Sequence, residues 1–277
     1  YEATKRGLKV ALLEAGDIGC STSCRSTKLL HGGVRYLELA FKTLDLSQLK
    51  LVREALLERS HWLKQAPFLA KRLELALPSQ NFLSQAYFRT GLGVYDCLSG
   101  RQGIGRSRIL SKAQLEEALP FLNRSYNGGV AFSDGQFDDA RLNLLMAMTA
   151  EQAGAIVRSR CKVLDFELLN SGKLCGAISE DSEGKLEKWK AKAIVNATGV
   201  NADRLRNMAD PNVAPRILIS RGAHLVLEEN LCPKGIGLLI PETTDGRVLF
   251  LLPFFGRTQV GTTDTPCKLN DAYTPTE

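Results

Sequence analysis

The sequence predicts a mixed architecture, α/β plus α+β, in which two domains share interleaved segments of the chain. Three observations support this. The stretch LKVALL at 8–13 is an unbroken apolar run, which is typical of a strand buried on both faces of a parallel sheet. Strand-like segments between 155 and 190 are separated by the turns NSGK and DSEG, which indicates an antiparallel meander. The last third of the chain is again rich in strand patterns.

The composition is that of an ordinary globular protein. Hydrophobic residues make up 44% of the 277 positions and charged residues 24%, which excludes collagen-like, low-complexity and disulfide-scaffold proteins. The net charge of +6 favours anionic partners, but the basic residues are dispersed among acids, which argues against a nucleic-acid module. The seven scattered cysteines form no CxxC pair, and only three histidines are present, so we predict reduced thiols and no metal site.

The first fifteen residues have the pattern of half a nucleotide-binding motif. YEATKRG reads as the last turn of a helix capped by Gly7, and the apolar run that follows ends at Glu14. An acid at the carboxyl end of such a strand accepts hydrogen bonds from ribose hydroxyls in dinucleotide-binding βαβ units. The glycine loop of such a unit lies roughly 20 residues before the acid. We therefore expect the chain to begin within this motif.

The remaining elements are predicted from periodicity and caps. Residues 16–36 are rich in glycine and serine and are predicted to form a loop close to a ligand. A long helix is expected at 45–65, ended by Pro67, and the capping box SKAQ at 111–114 opens a short one. The other predictions are a helix after FDDAR at 137–141, strands at 155–158, 161–168, 174–180 and 185–190, and a buried strand at 192–199.

The loop contains the most informative group of polar residues. Arg25, Lys28 and Arg35, together with the main-chain amides of the two glycines after His31, are suited to holding a phosphate. The titration range of a histidine suits proton transfer. The alternative is a solvated basic loop in which His31 has a packing role, and spacing alone does not decide between the two.

Several longer motifs resemble those of a known family. RSTKLLHGGVRYLE at 25–38 is similar to the signature of the FAD-dependent, membrane-associated glycerol-3-phosphate dehydrogenases, and it follows the strand that ends in Glu14. Five further segments resemble that family in the same order along the chain: DGQFDDARLN (134–143), VNATGVNAD (195–203), RGAHLVL (221–227), DGRVLFLLP (245–253) and GTTDTP (261–266).

The resemblance implies a fold and a reaction. It implies a glutathione-reductase-like FAD-binding domain, formed by 1–77 and 136–215, interleaved with a mixed or antiparallel-sheet substrate domain, formed by 78–135 and 216–277. The implied reaction oxidises sn-glycerol 3-phosphate to dihydroxyacetone phosphate, with hydride transfer to flavin N5 and electrons passing on to a quinone. The implied location is the cytoplasmic side of a bacterial inner membrane, or the mitochondrial inner membrane, with peripheral attachment.

The resemblance also assigns cofactor-binding residues. Glu14 matches the ribose-binding acid, and Val163 lies in the strand whose backbone meets adenine. The remaining positions match the segment along the pyrophosphate, ribityl chain and flavin, and the ATG turn near the cofactor: Ser26, Thr27, Lys28, Leu29, Ala197, Thr198 and Gly199. A side chain at Gly199 is expected to crowd the ligand.

Five residues are implied at the substrate. His31 is the candidate proton acceptor, and Arg35 is suited to pairing with the phosphate through both arms of its guanidinium. Tyr36 lies beside Arg35, and Arg221 and His224 resemble the family's basic position in the substrate domain and its neighbour. His224 is equally compatible with a core histidine.

Three departures from the family pattern and several alternatives accompany these assignments. Phe254 stands where the family has tryptophan, Val200 stands where it has an aromatic residue, and the glycine loop and C-terminal part are not in this chain. His61 is assigned a structural role.

The alternative functions are an oxidase that uses dioxygen and a non-catalytic anion-binding module of the same fold. The basic residues of 62–110 suit an anionic lipid surface or a solvated face, and a homodimer stays open.

Overall fold

The computed structural model describes residues 1–43, 45–122 and 125–271 of the chain. The helices are α1 (Glu2–Lys5), α2 (Val34–Thr43), α3 (Leu46–Gln65), α4 (Phe82–Ser99), α5 (Lys112–Ala118), α6 (Asp139–Gln152) and α7 (Ala202–Ala209). The strands are β1 (Ala11–Leu13), β2 (Leu29–Leu30), β3 (Ala70–Ser79), β4 (Arg108–Ser111), β5 (Gly128–Phe137), β6 (Ile156–Arg158), β7 (Lys162–Leu168), β8 (Leu174–Glu180), β9 (Leu186–Lys190), β10 (Ser220–Arg221), β11 (His224–Leu227), β12 (Ile236–Ile240), β13 (Leu249–Phe254), β14 (Arg257–Gly261) and β15 (Thr265–Pro266).

The chain divides into two interleaved compact units. The first unit contains Tyr1–Ser26, Asp139–Arg221 and the segment that begins at Thr265, and the second contains Thr27–Asp138 and Gly222–Asp264. Residues 27–77, which we assigned to the first domain, therefore belong to the second unit. The reason is the pairing of β3 with β5, which runs without interruption from Ala70↔Phe137 to Ser79↔Gly128. The roles assigned to the two domains stay predictions.

The first unit has three small sheets. β1 pairs in parallel with β6, β7 to β9 form an antiparallel meander, and β10 pairs with β15. The parallel pairing of the N-terminal strand is confirmed, but its predicted burial on both faces is wrong, because Leu12 is 42% exposed. Within the described residues β1 has a single strand partner, so its faces are only partly covered.

Two further predictions for the first unit are corrected. The segment at 155–158 is not part of the meander, since β6 pairs with β1. Residues 192–199 form no strand, and Val195 in that segment is 86% exposed. A continuous apolar run forms a buried strand only where neighbouring strands pair with it, and this segment has no strand partner among the described residues.

The second unit contains an eight-stranded mixed sheet. Seven strands follow the order β11-β14-β13-β12-β3-β5-β2, and β4 also pairs with β5. The pair β12–β3 is parallel and the other pairs are antiparallel. Two hydrophobic clusters lie on opposite faces of this sheet, because side chains along a strand alternate between faces. Val130 and Phe132 of β5 face α3 and α4, whereas Ala131 faces α5.

The helix caps agree closely with the sequence. The predicted helix at 45–65 is α3, and its N-cap residue Asp45 accepts a hydrogen bond from Ser47 N. The predicted capping box is present at the start of α5, where Ser111 and Gln114 exchange hydrogen bonds. The ten-residue strand β3 and the helix α4 were not predicted.

Candidate cofactor and substrate site

Glu14 lies at the carboxyl end of β1. Its main-chain N–H donates to Arg158 O at 2.9 Å, and its carbonyl accepts from Cys161 N at 2.8 Å. The carboxylate accepts from Gly16 N through Oε1 at 2.8 Å, which fixes its orientation beyond the strand. Val163 follows two residues after Cys161, at the start of β7, next to an irregularity in strand register. The structure therefore brings Glu14 close to the start of β7.

Ser26 is anchored to the start of α6. Its main-chain N–H and its hydroxyl both donate to Asp139 Oδ2, at 3.0 and 2.7 Å. Asn143, one turn along α6, donates to Ser23 O at 3.1 Å. A carboxylate in the first turn of a helix is also stabilised by the helix dipole. From the sequence, Asp139 was predicted only to lie where a helix begins. The structure shows that its carboxylate also holds Ser26.

The next residues turn sharply and join the sheet. Lys28 has φ of 63°, a left-handed conformation that is uncommon for a non-glycine residue. Its carbonyl accepts from Phe137 N at 3.0 Å, and β2 then pairs with β5. A Cβ on Gly135 would lie 2.9 Å from Leu30 Cβ, so glycine is needed for this close approach. Backbone strain of this kind tends to occur at functional sites.

His224 is hydrogen-bonded to the predicted cofactor segment. Its Nε2 lies 3.1 Å from Thr27 Oγ1. The imidazole is half-buried, and a Cβ on Gly261, its partner in the strand pairing, would approach Cδ2 to 2.5 Å. Arg221 lies in the first unit, where it is paired with Thr265 and donates from Nη1 to Asp271 O at 3.2 Å.

The side chain of His31 is exposed, whereas the two glycines that follow it are buried. Gly33 has φ of 75°, and the ring of Tyr36 packs against it so closely that a Cβ there would lie 2.7 Å from Cδ2. The main-chain N–H of Gly32 donates to the hydroxyl of Tyr95 at 2.7 Å. The side chain of Arg35 lies outside the described part of the structure.

Tyr95 belongs to a fully buried polar network that the sequence analysis missed. Its hydroxyl donates to Asp134 Oδ1 at 2.9 Å, and Arg59 Nη1 lies 2.6 Å from the same oxygen. Burial raises the pKa of the Asp134 carboxyl, and the charge of Arg59 opposes that rise. Burial likewise raises the pKa of Tyr95, so its hydroxyl stays protonated. The only sequence signal was Asp134, as the first residue of the DGQFDDARLN motif.

The ATG turn leaves open space at its glycine. Thr198 donates from its main-chain N–H and its hydroxyl to Asn196 Oδ1, at 3.2 and 2.7 Å. Gly199 has φ of 55°, and a Cβ at this position would lie more than 4 Å from the described atoms other than those of its two chain neighbours. Crowding at Gly199 would therefore come from a ligand rather than from the protein. Within the first unit, the oriented carboxylate of Glu14 and the open space at Gly199 are compatible in chemistry with a dinucleotide such as FAD.

Potential metal ligands do not cluster in residues 1–43, 45–122 and 125–271. No group of three or more His, Cys, Asp or Glu side chains in these ranges is placed to hold a metal ion. The seven cysteines are all free thiols.

The acid at the end of a parallel strand and the large mixed sheet are compatible with a flavin-dependent oxidoreductase, and the family match below shows that class. The sequence profile of the family described as "FAD dependent oxidoreductase" matches residues 1–277. The chain belongs to this family, whose cofactor is FAD.

The most similar curated proteins include several that are named glycerol-3-phosphate dehydrogenase. The chain is 41% identical to the probable mitochondrial glycerol-3-phosphate dehydrogenase of Dictyostelium discoideum, over 100% of this chain and 44% of that protein. It is 39% identical to the mitochondrial glycerol-3-phosphate dehydrogenase of Mus musculus, over 100% of this chain and 39% of that protein. The chain thus spans less than half the length of these relatives. The resemblance stated from the motifs is confirmed.

Two solved structures share the fold. The glycerol-3-phosphate dehydrogenase of Bacillus halodurans, complexed with FAD, superposes with a TM-score of 0.74 at 26% identity, covering 99% of this chain and 46% of that one. The L-α-glycerophosphate oxidase of Mycoplasma pneumoniae superposes with a TM-score of 0.68 at 17% identity, covering 97% of this chain and 69% of that one. The predicted fold class is confirmed.

Proposed function

We propose that this chain is part of an enzyme that oxidises sn-glycerol 3-phosphate to dihydroxyacetone phosphate. The observation that carries the proposal is the similarity of the whole chain to proteins named glycerol-3-phosphate dehydrogenase. The retained RSTKLLHGGVRYLE motif supports the same substrate, since it combines a histidine with basic residues suited to a phosphate.

In this proposal the cofactor is held by residues from four segments of the chain. Glu14 accepts hydrogen bonds from ribose hydroxyls, and the backbone at Val163 meets adenine. The segment Ser26–Leu29 lies along the pyrophosphate and flavin in this proposal, and the left-handed turn at Lys28 falls within it. Ala197–Gly199 line the cofactor where the structure leaves space. FAD, when bound, supplies N5 as the acceptor for the hydride from C2 of the substrate.

The substrate is held by the second half of the motif and by the RGAH segment. His31 accepts the proton of the C2 hydroxyl, and its exposed side chain is accessible for this role. Arg35 and Arg221 pair with the phosphate, Tyr36 borders it, and His224 contributes a polar group beside Thr27. The chain's own residues thereby bind the phosphate, orient C2 and remove one proton.

Two separate arginine substitutions test whether Arg35 binds the phosphate of the substrate. Arg35→Ala is expected to raise the KM for glycerol 3-phosphate by about 10- to 100-fold while leaving FAD content unchanged, because a charge-assisted pair is lost. Arg53→Ala is the matched control, since it removes the same charge from an exposed position on α3. An unchanged KM in Arg35→Ala would remove Arg35 from the phosphate site.

A quinone is the proposed electron acceptor. The alternative is dioxygen, and the fold is shared with the Mycoplasma oxidase, so the fold does not separate the two. The full-length protein, assayed aerobically with and without a quinone analogue, distinguishes them. Reduction of the analogue without peroxide supports the dehydrogenase, and peroxide formed in equal amount to product supports the oxidase. A non-catalytic anion-binding module would give neither.

Peripheral attachment to the mitochondrial or bacterial inner membrane is the proposed location. No helix in the described ranges is both long and apolar enough to cross a membrane. Part of the basic region at 62–110 is engaged within the protein, because Arg72 and Arg108 both pair with Glu74, and Arg89 donates to Ser107. Flotation of the full-length protein with anionic vesicles tests this location, and failure to float at low salt would contradict it.

A further inference from the structure

The main chain next to His31 is held by one buried side chain. Gly32 N donates to the hydroxyl of Tyr95, which reaches the loop from α4. That hydroxyl in turn donates to Asp134 on β5, so its lone pair is directed at Gly32. The exposed His31 is thus joined directly to a main-chain group, Gly32 N, that is held from inside the protein.

Tyr95 contacts a buried ion pair formed by Arg59 and Asp134. The side chains of Arg59 and Asp134 are each 2% exposed. Arg59 also donates to Ser133 O at 3.1 Å, and its guanidinium lies 5.7 Å from the centre of the Tyr95 ring. A buried ion pair seldom adds stability over apolar residues of the same size, whereas removing one partner leaves a buried charge uncompensated. The group whose position it fixes is the Tyr95 hydroxyl.

The segment around His31 has little room to shift. A Cβ on Gly32 would lie 2.4 Å from Leu56 Cδ2 and 2.5 Å from the Tyr95 hydroxyl oxygen. On the N-terminal side, Leu30 is paired with Gly135 in the sheet. His31 is therefore placed between a sheet pairing and a buried hydrogen bond, one residue away on either side.

We propose that Tyr95, Asp134 and Arg59 are positioning residues for the oxidation of glycerol 3-phosphate. They fix the main chain at Gly32 and thereby the location from which His31 takes the proton of the C2 hydroxyl. This inference rests on the proposed function, and it adds three residues from three different elements that do not touch the substrate themselves.

Tyr95→Phe tests the proposal in the full-length, FAD-loaded protein. The variant removes the hydroxyl but keeps the ring, which packs edge-on against Phe132 with centroids 6.1 Å apart. The rate constant of flavin reduction by glycerol 3-phosphate without oxygen is expected to fall by about 10- to 100-fold, the range in which small displacements of a reacting group act. FAD content is expected to stay constant. Hydrogen–deuterium exchange of the peptide containing Gly32 is expected to become faster.

Thr258→Val is the matched control. Thr258 is fully buried in the same unit, and its hydroxyl also holds a main-chain N–H, that of Leu231, at 2.8 Å. The control is expected to lower stability to a similar degree while leaving the rate of flavin reduction unchanged. An equal slowing in both variants would show that general destabilisation is the cause and would overturn the proposal.

A second variant tests the same contacts independently. Arg59→Lys retains the positive charge beside Asp134 but loses the second arm, and it is expected to slow flavin reduction less than Tyr95→Phe does. Wild-type rates in both variants would overturn the positioning role. If glycerol 3-phosphate does not reduce the flavin of the wild-type protein, the proposed function fails rather than the positioning role. Hydrogen–deuterium exchange at Gly32 would still report on the hydrogen bond from Gly32 N to the Tyr95 hydroxyl.

Discussion

Gly32→Ala places a methyl group where the structure has no space. The added Cβ would lie 2.4 Å from Leu56 Cδ2, 2.6 Å from Leu56 Cγ and 2.5 Å from the Tyr95 hydroxyl oxygen. Leu56 is fully buried in the centre of α3, and Tyr95 is held by Asp134, so neither neighbour is free to move aside. The backbone at Gly32 must therefore shift.

Two contributions set the expected loss of stability. Overpacking of a filled core costs about 1–3 kcal/mol. Displacing the Gly32 N–H from Tyr95 leaves a buried donor without its acceptor, which costs about 1–3 kcal/mol more. Together they predict a decrease of about 2–6 kcal/mol in the free energy of unfolding, measured by urea denaturation of the full-length protein.

Gly91→Ala is the control for this substitution. Gly91 lies within α4, and a Cβ there would meet no described atom outside the backbone of its own helix within 4 Å, so alanine is expected to stabilise the helix by about 0.5–1 kcal/mol. A Gly32→Ala variant as stable as the wild type would refute the close packing described for the His31 loop, and so would equal effects of the two substitutions.

Three further substitutions test the first unit. Gly199→Ala is expected to destabilise the protein by about 1–2 kcal/mol through its left-handed φ and also to weaken FAD binding in a titration; unchanged affinity would place the cofactor elsewhere. Glu14→Gln is expected to raise the Kd for FAD by about 10- to 100-fold, because a charged hydrogen-bond acceptor is lost, and an unaltered Kd would contradict its role. Main-chain N–H groups of Ile217 and Arg216 lower the pKa of Asp203 below its ordinary value of 3.8. The ionised carboxylate therefore adds to the free energy of unfolding above that value, and this stabilisation is lost as the pH falls through the lowered folded-state pKa. Acid unfolding followed by circular dichroism should show this loss in the wild type but not in Asp203→Asn; the same acid profile in both proteins would be the opposing result.

Local signals predicted the parts of the fold that depend on local interactions. The end of α3 before Pro67 and the capping box at Ser111 each rest on interactions within a few residues, and the structure has both. The Asp45 cap of α3 is equally local, but it was not predicted. The motif at 25–38 identified the loop through resemblance, and the structure adds how Asp139 holds it.

Pairings between distant segments were beyond the reach of the sequence. β3 begins with AKR and contains residues that favour helices, and its pairings with the distant strands β5 and β12 make it a strand. The apolar run before Glu14 indicated a parallel strand correctly, but its burial depends on neighbouring strands rather than on its own residues. The network of Arg59, Tyr95 and Asp134 joins three elements, and no spacing in the chain relates them.

The central claim is that the family's FAD chemistry acts on glycerol 3-phosphate in this protein. The direct measurement is the absorbance of the bound flavin in full-length protein after glycerol 3-phosphate is added without oxygen. We expect that the spectrum of the oxidised flavin is lost and that one molecule of dihydroxyacetone phosphate forms for each flavin reduced. A flavin that stays oxidised in protein fully loaded with FAD would contradict it.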